Sequence, residues 1–223
     1  MIRREDISFD ATEWRMLQLS FSQIGEDRVL LHLLGNGVQA HGTYVDVGAF
    51  HPVQYSNTLL LYKLGWRGVN IDANPTIIDL FNLYRPDDKN VCAAVSDSVK
   101  QVRYLYYPAG ATNRINENGL GSPLSVIGEL PSKTEVITTR TLSSILEEVG
   151  LVGRRVDFLN VDCEGADLDV LKGLDWKQWR PRVVAVESQR EWDCDTVISF
   201  LHQRGYSEVA RMFVTQIFVL RES

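Results

Sequence analysis

Short apolar runs alternate with helix-period patterns along this chain. The apolar runs are Tyr44–Val47, Val69–Ile71, Val91–Val95, Val156–Val161 and Val183–Val186. Between and after them, apolar positions recur at helical spacing over Asn57–Leu64, Thr76–Leu83, Leu142–Val149, Ala166–Leu171 and Thr196–Gln203. Continuous β-branched runs mark strands covered on both faces. Their separation by helices predicts parallel pairing in a doubly wound α/β sheet. After Gly205 the rhythm changes: YSEVARMF and TQIFVL are two strand-like runs with a very short connection. They predict an antiparallel C-terminal hairpin on the sheet edge, which dinucleotide-binding domains usually lack.

Two stretches fall outside this rhythm. Residues 108–133, between strand-like QVRYLYY and TEVITTR, are rich in Gly, Asn, Ser and Pro. A loop of that length in a compact domain is either functional, here a lid or acceptor-recognition loop, or a mobile insertion. Residues 1–20 read as an N-terminal extension with a helical pattern through EWRMLQL, leaving 21–223 as one domain.

Composition narrows the function classes. The 223 residues are 44% hydrophobic and 23% charged, as expected of a globular chain with a substantial core. A net charge of −6 and the lack of any basic run argue against a nucleic-acid partner. Cys92, Cys163 and Cys194 have neither zinc-ligand nor disulfide-framework spacing, and Cys92, in an apolar run, reads as a small core residue. Charges interrupt the N-terminus where a signal peptide needs an apolar stretch, and no segment approaches membrane-spanning length. The expectation is a cytoplasmic protein with no membrane partner.

The candidate chemistry sits at the strand ends. The first strand runs into Asp46-Val47-Gly48-Ala49-Phe50-His51-Pro52, where Gly48 permits a sharp turn and Ala49 a close ligand approach. A pyrophosphate site would need G-x-G-x-x-G, and Asp46 would repel phosphates. A ligand with a positive centre tolerates that carboxylate, and S-adenosylmethionine carries both an ammonium and a sulfonium. The second strand ends in Asp72-Ala73-Asn74-Pro75. Asp72 is placed to accept from ribose hydroxyls, while Asn74 before Pro75 also suits a helix cap. Ser96 and Asp97, after the third strand, are candidates for the adenine side. The fourth strand delivers Asp162 and Glu164, and the fifth ends in Glu187. Four strands of one sheet thus end in acids, at the edge where open parallel sheets bind ligands. Upstream, Ser22 and Glu26 read as a capped helix start, or else Gln23, Glu26 or Asp27 folds over the cofactor. Asn57, in Ser56-Asn57-Thr58, begins a helix whose free N–H groups suit the methionine carboxylate.

DVGAFHP with SNT and LGWRGVNIDANP, then RPDDKN, AAVS, RTLSSIL and VDCEGADLDVLKGLDWKQWRPRVVAVE, resemble FkbM-type methyltransferases from about Ser22 to Glu187. The resemblance implies a Rossmann-like S-adenosylmethionine domain that methylates hydroxyl groups, often on sugars or natural products. Carried over by position, it implicates Asp46, Gly48, Ala49, Asp72 and Asn74 in cofactor binding, and marks Asp162, Glu164 and Gly165 as the fourth-strand signature. Phe50 and Pro52 stand where many methyltransferases have further glycines, and position 72 is Asp where Glu is common in the family.

The expected reaction is in-line methyl transfer to an acceptor oxygen on a small molecule or carbohydrate, aligned in a dry site. A hydroxyl acceptor needs a base or a metal. Asp162, Glu164 and His51 are the candidate bases, in that order, although His51 equally suits a hydrogen bond to backbone. Asp162, Glu164 and Glu187 form an alternative hard-oxygen set for a divalent cation, a reading not favoured because their spacing matches no metal motif. Two rivals remain: a scaffold module retaining the fold, against which idle buried carboxylates argue, and a nucleotide-dependent oxidoreductase.

Overall fold

The structure, a computed structural model, describes residues 8–35, 41–108, 110–116, 130–187 and 191–221. In chain order, helices α1 (Ala11–Met16) and α2 (Glu26–Leu33) precede β1 (Thr43–Val47), α3 (Leu59–Lys63), β2 (Arg67–Asp72), α4 (Pro75–Tyr84) and β3 (Lys89–Cys92). A second group follows: β4 (Ala94–Val95), β5 (Gln101–Tyr106), β6 (Arg114–Asn116) and β7 (Lys133–Arg140). Then come α5 (Leu142–Glu148), β8 (Phe158–Val161), α6 (Asp167–Lys172), β9 (Val183–Glu187), α7 (Glu191–His202), β10 (Tyr206–Met212) and β11 (Thr215–Leu220).

Seven strands form the main sheet, in the order β10-β11-β9-β8-β1-β2-β3. Strands β3, β2, β1, β8 and β9 pair in parallel. β11 runs antiparallel to both β9 and β10, so the hairpin places β10 back in the common direction at the sheet edge. The chain reverses its progress across the sheet between β1 and β8, the point where open α/β sheets form a crevice.

Strand alternation separates two apolar faces. Val45, Val47, Val69, Ile71, Leu159, Val161, Val184 and Val186 point into one core with Leu142, Ile145, Val170 and Leu171 of α5 and α6. Tyr44, Phe158, Val183 and Ala185 point to the other, under Leu30, Leu31, Leu60 and Leu61 of α2 and α3. Each fully buried Val, Leu, Ile or Phe contributes roughly 1.5–3 kcal/mol, so these two layers are the main source of the sheet's stability.

The third apolar run is divided. β3 pairs with β2, whereas β4 turns away to pair with β7 in a four-stranded sheet, β4-β7-β5-β6. The stretches flanking the long loop, QVRYLYY and TEVITTR, are antiparallel neighbours there. Cys92 is exposed, contrary to its reading as core, because β3 is an edge strand with one side open. Cys194 has its side chain outside the described residues.

The N-terminal helix starts at an Asp10 capping box, earlier than EWRMLQL suggests, and buries none of its residues. No helix among the described residues is long and apolar enough to cross a membrane.

Candidate active site

Register explains how the acids meet. Asp46 on β1 lies opposite Asn70 on β2 and Asn160 on β8. These three share the face of the sheet turned toward α2 and α3. One pleat further toward the strand ends, the same face carries Asp72, Gly48, Asp162 and Glu187 from neighbouring strands. Period-two alternation places the row, and parallel pairing brings its members level.

Gly48 is required within that row. Its φ is +75°, and a Cβ there would stand 1.7 Å from the Asp162 carbonyl oxygen. Strands β1 and β8 close at this point through the Asp162 amide, which donates to the Val47 carbonyl at 2.9 Å. Gly48 therefore serves the turn, as expected from sequence, and also the close packing of two strands, which was not.

Above the row opens a cavity of about 500 Å³. Of the site residues expected from sequence, Gln23, Asp46, Gly48, Ala49, Asn57, Asp72, Ala73, Asp162 and Glu164 line it. So do Glu26 and Glu187. Asp46 is buried, its carboxylate accepting from Thr58 Oγ1 at 2.6 Å and Asn160 Nδ2 at 2.9 Å. Asn57 donates through Nδ2 to Asn160 Oδ1 at 3.0 Å. Asn57 itself precedes α3, and the Ser56 hydroxyl accepts from the Leu59 amide at the start of that helix.

The Asp72 carboxylate accepts from the Asn74 amide at 2.8 Å and the Phe50 amide at 3.1 Å. Burial outweighs these bonds and pushes its pKa up to about 6. Asp162 is pushed well above the carboxylate range, first by burial and then by the Glu187 carboxyl beside it. Carboxylate oxygens of Asp162, Glu164 and Glu187 all lie within 4.8 Å of one another. Glu164 adopts a left-handed φ of +51°. The turn that presents it is tied by Asp167, which accepts from the Cys163 amide at 2.7 Å and the Gly165 amide at 3.0 Å. Burial raises Asp167 to about 7 against the pull of these two amides.

Four expected site residues lie elsewhere. His51 Nδ1 accepts from the Val53 and Gln54 amides at 3.0 and 2.9 Å, so its available nitrogen caps a turn and the ring does not line the cavity. Asn74 caps α4, its Oδ1 accepting from the Thr76 amide at 3.1 Å. Ser96 and Asp97 follow β4 into the second sheet: Ser96 is buried, with its amide donating to the Arg140 carbonyl, and Asp97 pairs with Lys100 at 3.0 Å. Ala93, Val95 and Tyr104 occupy that side of the cavity instead. Asp27 likewise turns from the cavity to accept from Ser20, Ser22 and the Phe21 amide, fixing the approach to α2.

Sequence reading singled out the 108–133 stretch as functional or mobile without naming any of its residues, and it missed the wall from the C-terminal hairpin. Residues 110–115, near the start of the 108–133 stretch, line the cavity with Tyr104, and residues 117–129 lie outside the described residues. Arg114 brings a guanidinium to this wall, 5.1 Å over the Tyr107 ring. Phe213 and Val214 close another side from the β10–β11 turn. No local signal marks these contacts. Asn160 is different, since it stands two residues before Asp162 on one strand and parity alone places both on one face.

A mostly parallel seven-stranded sheet, with β11 inserted antiparallel and acids gathered at the switch point, defines a Rossmann-like methyltransferase fold. The sequence pattern of the family described as "Methyltransferase FkbM domain" matches residues 46–208, and the chain belongs to that family. It is 31% identical over 103 residues to "Methyltransferase 1" of Beauveria bassiana, a stretch covering 45% of this chain and 41% of that protein. Among solved structures it is similar to a precorrin-6y C5,15-methyltransferase from Geobacter metallireducens, at a TM-score of 0.47 and 11% identity over 88% of this chain and 87% of that one. A TehB-like SAM-dependent methyltransferase from Corynebacterium glutamicum matches at a TM-score of 0.41 and 13% identity, over 95% and 96% of the two chains.

Proposed function

We propose that this methyltransferase uses S-adenosylmethionine to methylate a hydroxyl group on a sugar or natural-product acceptor. The observation that carries the reading is the convergence of Asp46, Asp72, Asp162, Glu164 and Glu187 on one cavity of about 500 Å³. That volume is of the size that holds a cofactor and part of an acceptor.

The donor set fits the cofactor. Asp72 is the acceptor for ribose hydroxyls, Ala93, Val95 and Tyr104 offer apolar surface to the base, and Asp46 meets the positive centre. Among the described residues Arg114 is the single Lys or Arg on the cavity wall, which suits a cationic ligand better than a pyrophosphate. When bound, S-adenosylmethionine supplies an electrophilic methyl group. The chain aligns the acceptor oxygen, keeps water out and receives the proton that the hydroxyl loses. Asp162 and Glu164 are the groups for that proton, and Glu187 raises the basicity of Asp162 by standing beside it.

Incubation with radiolabelled S-adenosylmethionine and a panel of sugars and small hydroxylated acceptors tests the reaction. Label appearing in an acid-stable acceptor product is expected, and cofactor binding without transfer to any acceptor would favour the scaffold reading. The same assay with a chelator settles the base. Undiminished turnover keeps Asp162 and Glu164 as proton acceptors, whereas loss restored by magnesium would make the three neighbouring carboxylates cation ligands.

A further inference from the structure

Arg85 follows α4 and is fully buried, yet it does not line the cavity. A guanidinium in such a place is costly unless its donors are met. They are met by one segment: Nε donates to the Pro52 carbonyl at 3.1 Å, Nη2 to the Ser56 hydroxyl at 2.6 Å and Nη1 to Thr58 Oγ1 at 2.8 Å. The cation also lies over the Phe81 ring, 5.1 Å from its centroid.

None of these partners is charged, and the counter-charge lies one bond further on. Thr58 Oγ1 is 2.6 Å from Asp46 Oδ2. A guanidinium can only donate, so Thr58 accepts from Arg85 and keeps its one proton to give. Asp46 Oδ2 at 2.6 Å is a closer taker than the Ser56 hydroxyl at 3.3 Å, which sets the relay from Arg85 through Thr58 to Asp46. A second relay reaches the other oxygen, from Asn57 through Asn160 to Asp46 Oδ1. Both oxygens of Asp46 therefore accept, which is the bonding pattern of an ionised carboxylate.

We propose that Arg85 is a positioning residue that clamps the 52–58 segment and, through the Thr58 hydroxyl, holds Asp46 as an anion on the cavity floor. The use of that anion, to receive the cofactor's positive centre, rests on the function proposed above. Other groups act on Asp46 as well. Burial, the largest influence, pushes Asp46 above the ordinary carboxylate range, helped by the charge of Asp88 at the approach to β3. The Thr58 and Asn160 hydrogen bonds and Arg85 work against that rise, and it is this opposing pull that the clamp supplies. Asp72 at the end of β2 and Tyr44 on β1 also feel its charge.

The test is a carboxyl carbon NMR titration of Asp46 in the full ligand-free chain, with cofactor affinity measured at pH 7. Arg85→Met is the direct variant, and Thr58→Val keeps both the shape of the segment and Arg85 while removing the relay. In Thr58→Val the Asp46 midpoint is expected to rise by about one pH unit or more, equivalent to roughly tenfold. Affinity for S-adenosylmethionine should fall about tenfold with it, and Thr58→Ser, which restores a hydroxyl, should recover both. A purely structural role would weaken binding without moving the titration. An Asp46 midpoint unchanged in Thr58→Val overturns the proposal, whether or not Arg85→Met folds. If the midpoint moves but neither form binds S-adenosylmethionine, the clamp on Asp46 stands and the cofactor assignment falls.

Discussion

At the scale of single residues, the carboxylates divide by what their oxygens already hold. Asp72 has one oxygen on each of two backbone amides, and the Asn74 and Phe50 turns keep it fixed at the end of β2. Ribose hydroxyls would donate to its ionised form, so cofactor affinity should be full above a pH of about 6 and decline as pH drops through that value. Calorimetry at pH 5 and pH 8 measures this, and an equal affinity at both would remove Asp72 from the site. Asp72→Ala should weaken cofactor binding by roughly tenfold or more, the equivalent of about 1.4 kcal/mol. Glu164 stands on a strained turn beside Asp162 on the cavity wall, and the proposed function gives it the acceptor's proton. Glu164→Ala is therefore expected to lower kcat by roughly 10²-fold with cofactor affinity kept, the loss typical of a missing general base. Calorimetry and initial rates on one preparation separate the two effects. A large loss of affinity instead would make Glu164 a binding residue.

At the scale of elements, the site depends on how closely β1 and β8 approach. Gly48→Ala adds a methyl group where only 1.7 Å separates it from the Asp162 carbonyl oxygen, in a backbone conformation that alanine resists. The strands must part, and with them the row from Asp72 to Glu187. The substitution should cost about 3 kcal/mol or more in urea denaturation. A variant of normal stability would show that the crossing is looser than the structure has it. Elements also show what was legible in advance. The five parallel strands were, since each overlaps a short apolar run, and so was the terminal hairpin. The division of Val91–Val95 between two sheets was not, because Cys92 to Ala94 reads as continuous strand while its hydrogen-bond partners change from β2 to β7. Ser96 and Asp97 were expected at the adenine side on the strength of that continuity, and they left with β4.

At the scale of the whole molecule, burial of acids gives stability an unusual pH dependence. Asp72 and Asp167 are raised from 3.8 to about 6 and about 7, mainly by burial. Across that window the folded chain binds protons that the unfolded chain has released. Stability from these groups is therefore complete below the unfolded value and is lost as pH rises through 6 and 7. Asp97 and Glu135, held low by Lys100 and Lys133, act in the opposite sense, but on exposed sites where salt screens them. Without ligand, Tm should fall by several degrees from pH 5.5 to pH 8, since about 1 kcal/mol moves a domain of this size by about 2–4 °C. Asp167→Asn should flatten that slope, and a slope unchanged in the variant would reject the assignment.

Hydrophobic period alone determined the class of fold, and the position of acids after apolar runs determined which edge of the sheet carries the chemistry. Both are local properties, fixed by a repeat of two along strands and 3.6 along helices. Tertiary structure decided which of those acids share a cavity, because the row from Asp72 to Glu187 depends on register between strands whose paired residues lie up to 114 positions apart. It also decided the fates of His51, Asn74 and Asp97, whose polar atoms found nearby amides or a lysine before any ligand. Arg85 shows the difference most sharply: a surface residue by composition, it lies at the centre of a relay because the 52–58 segment folds over it and leaves it no water to meet.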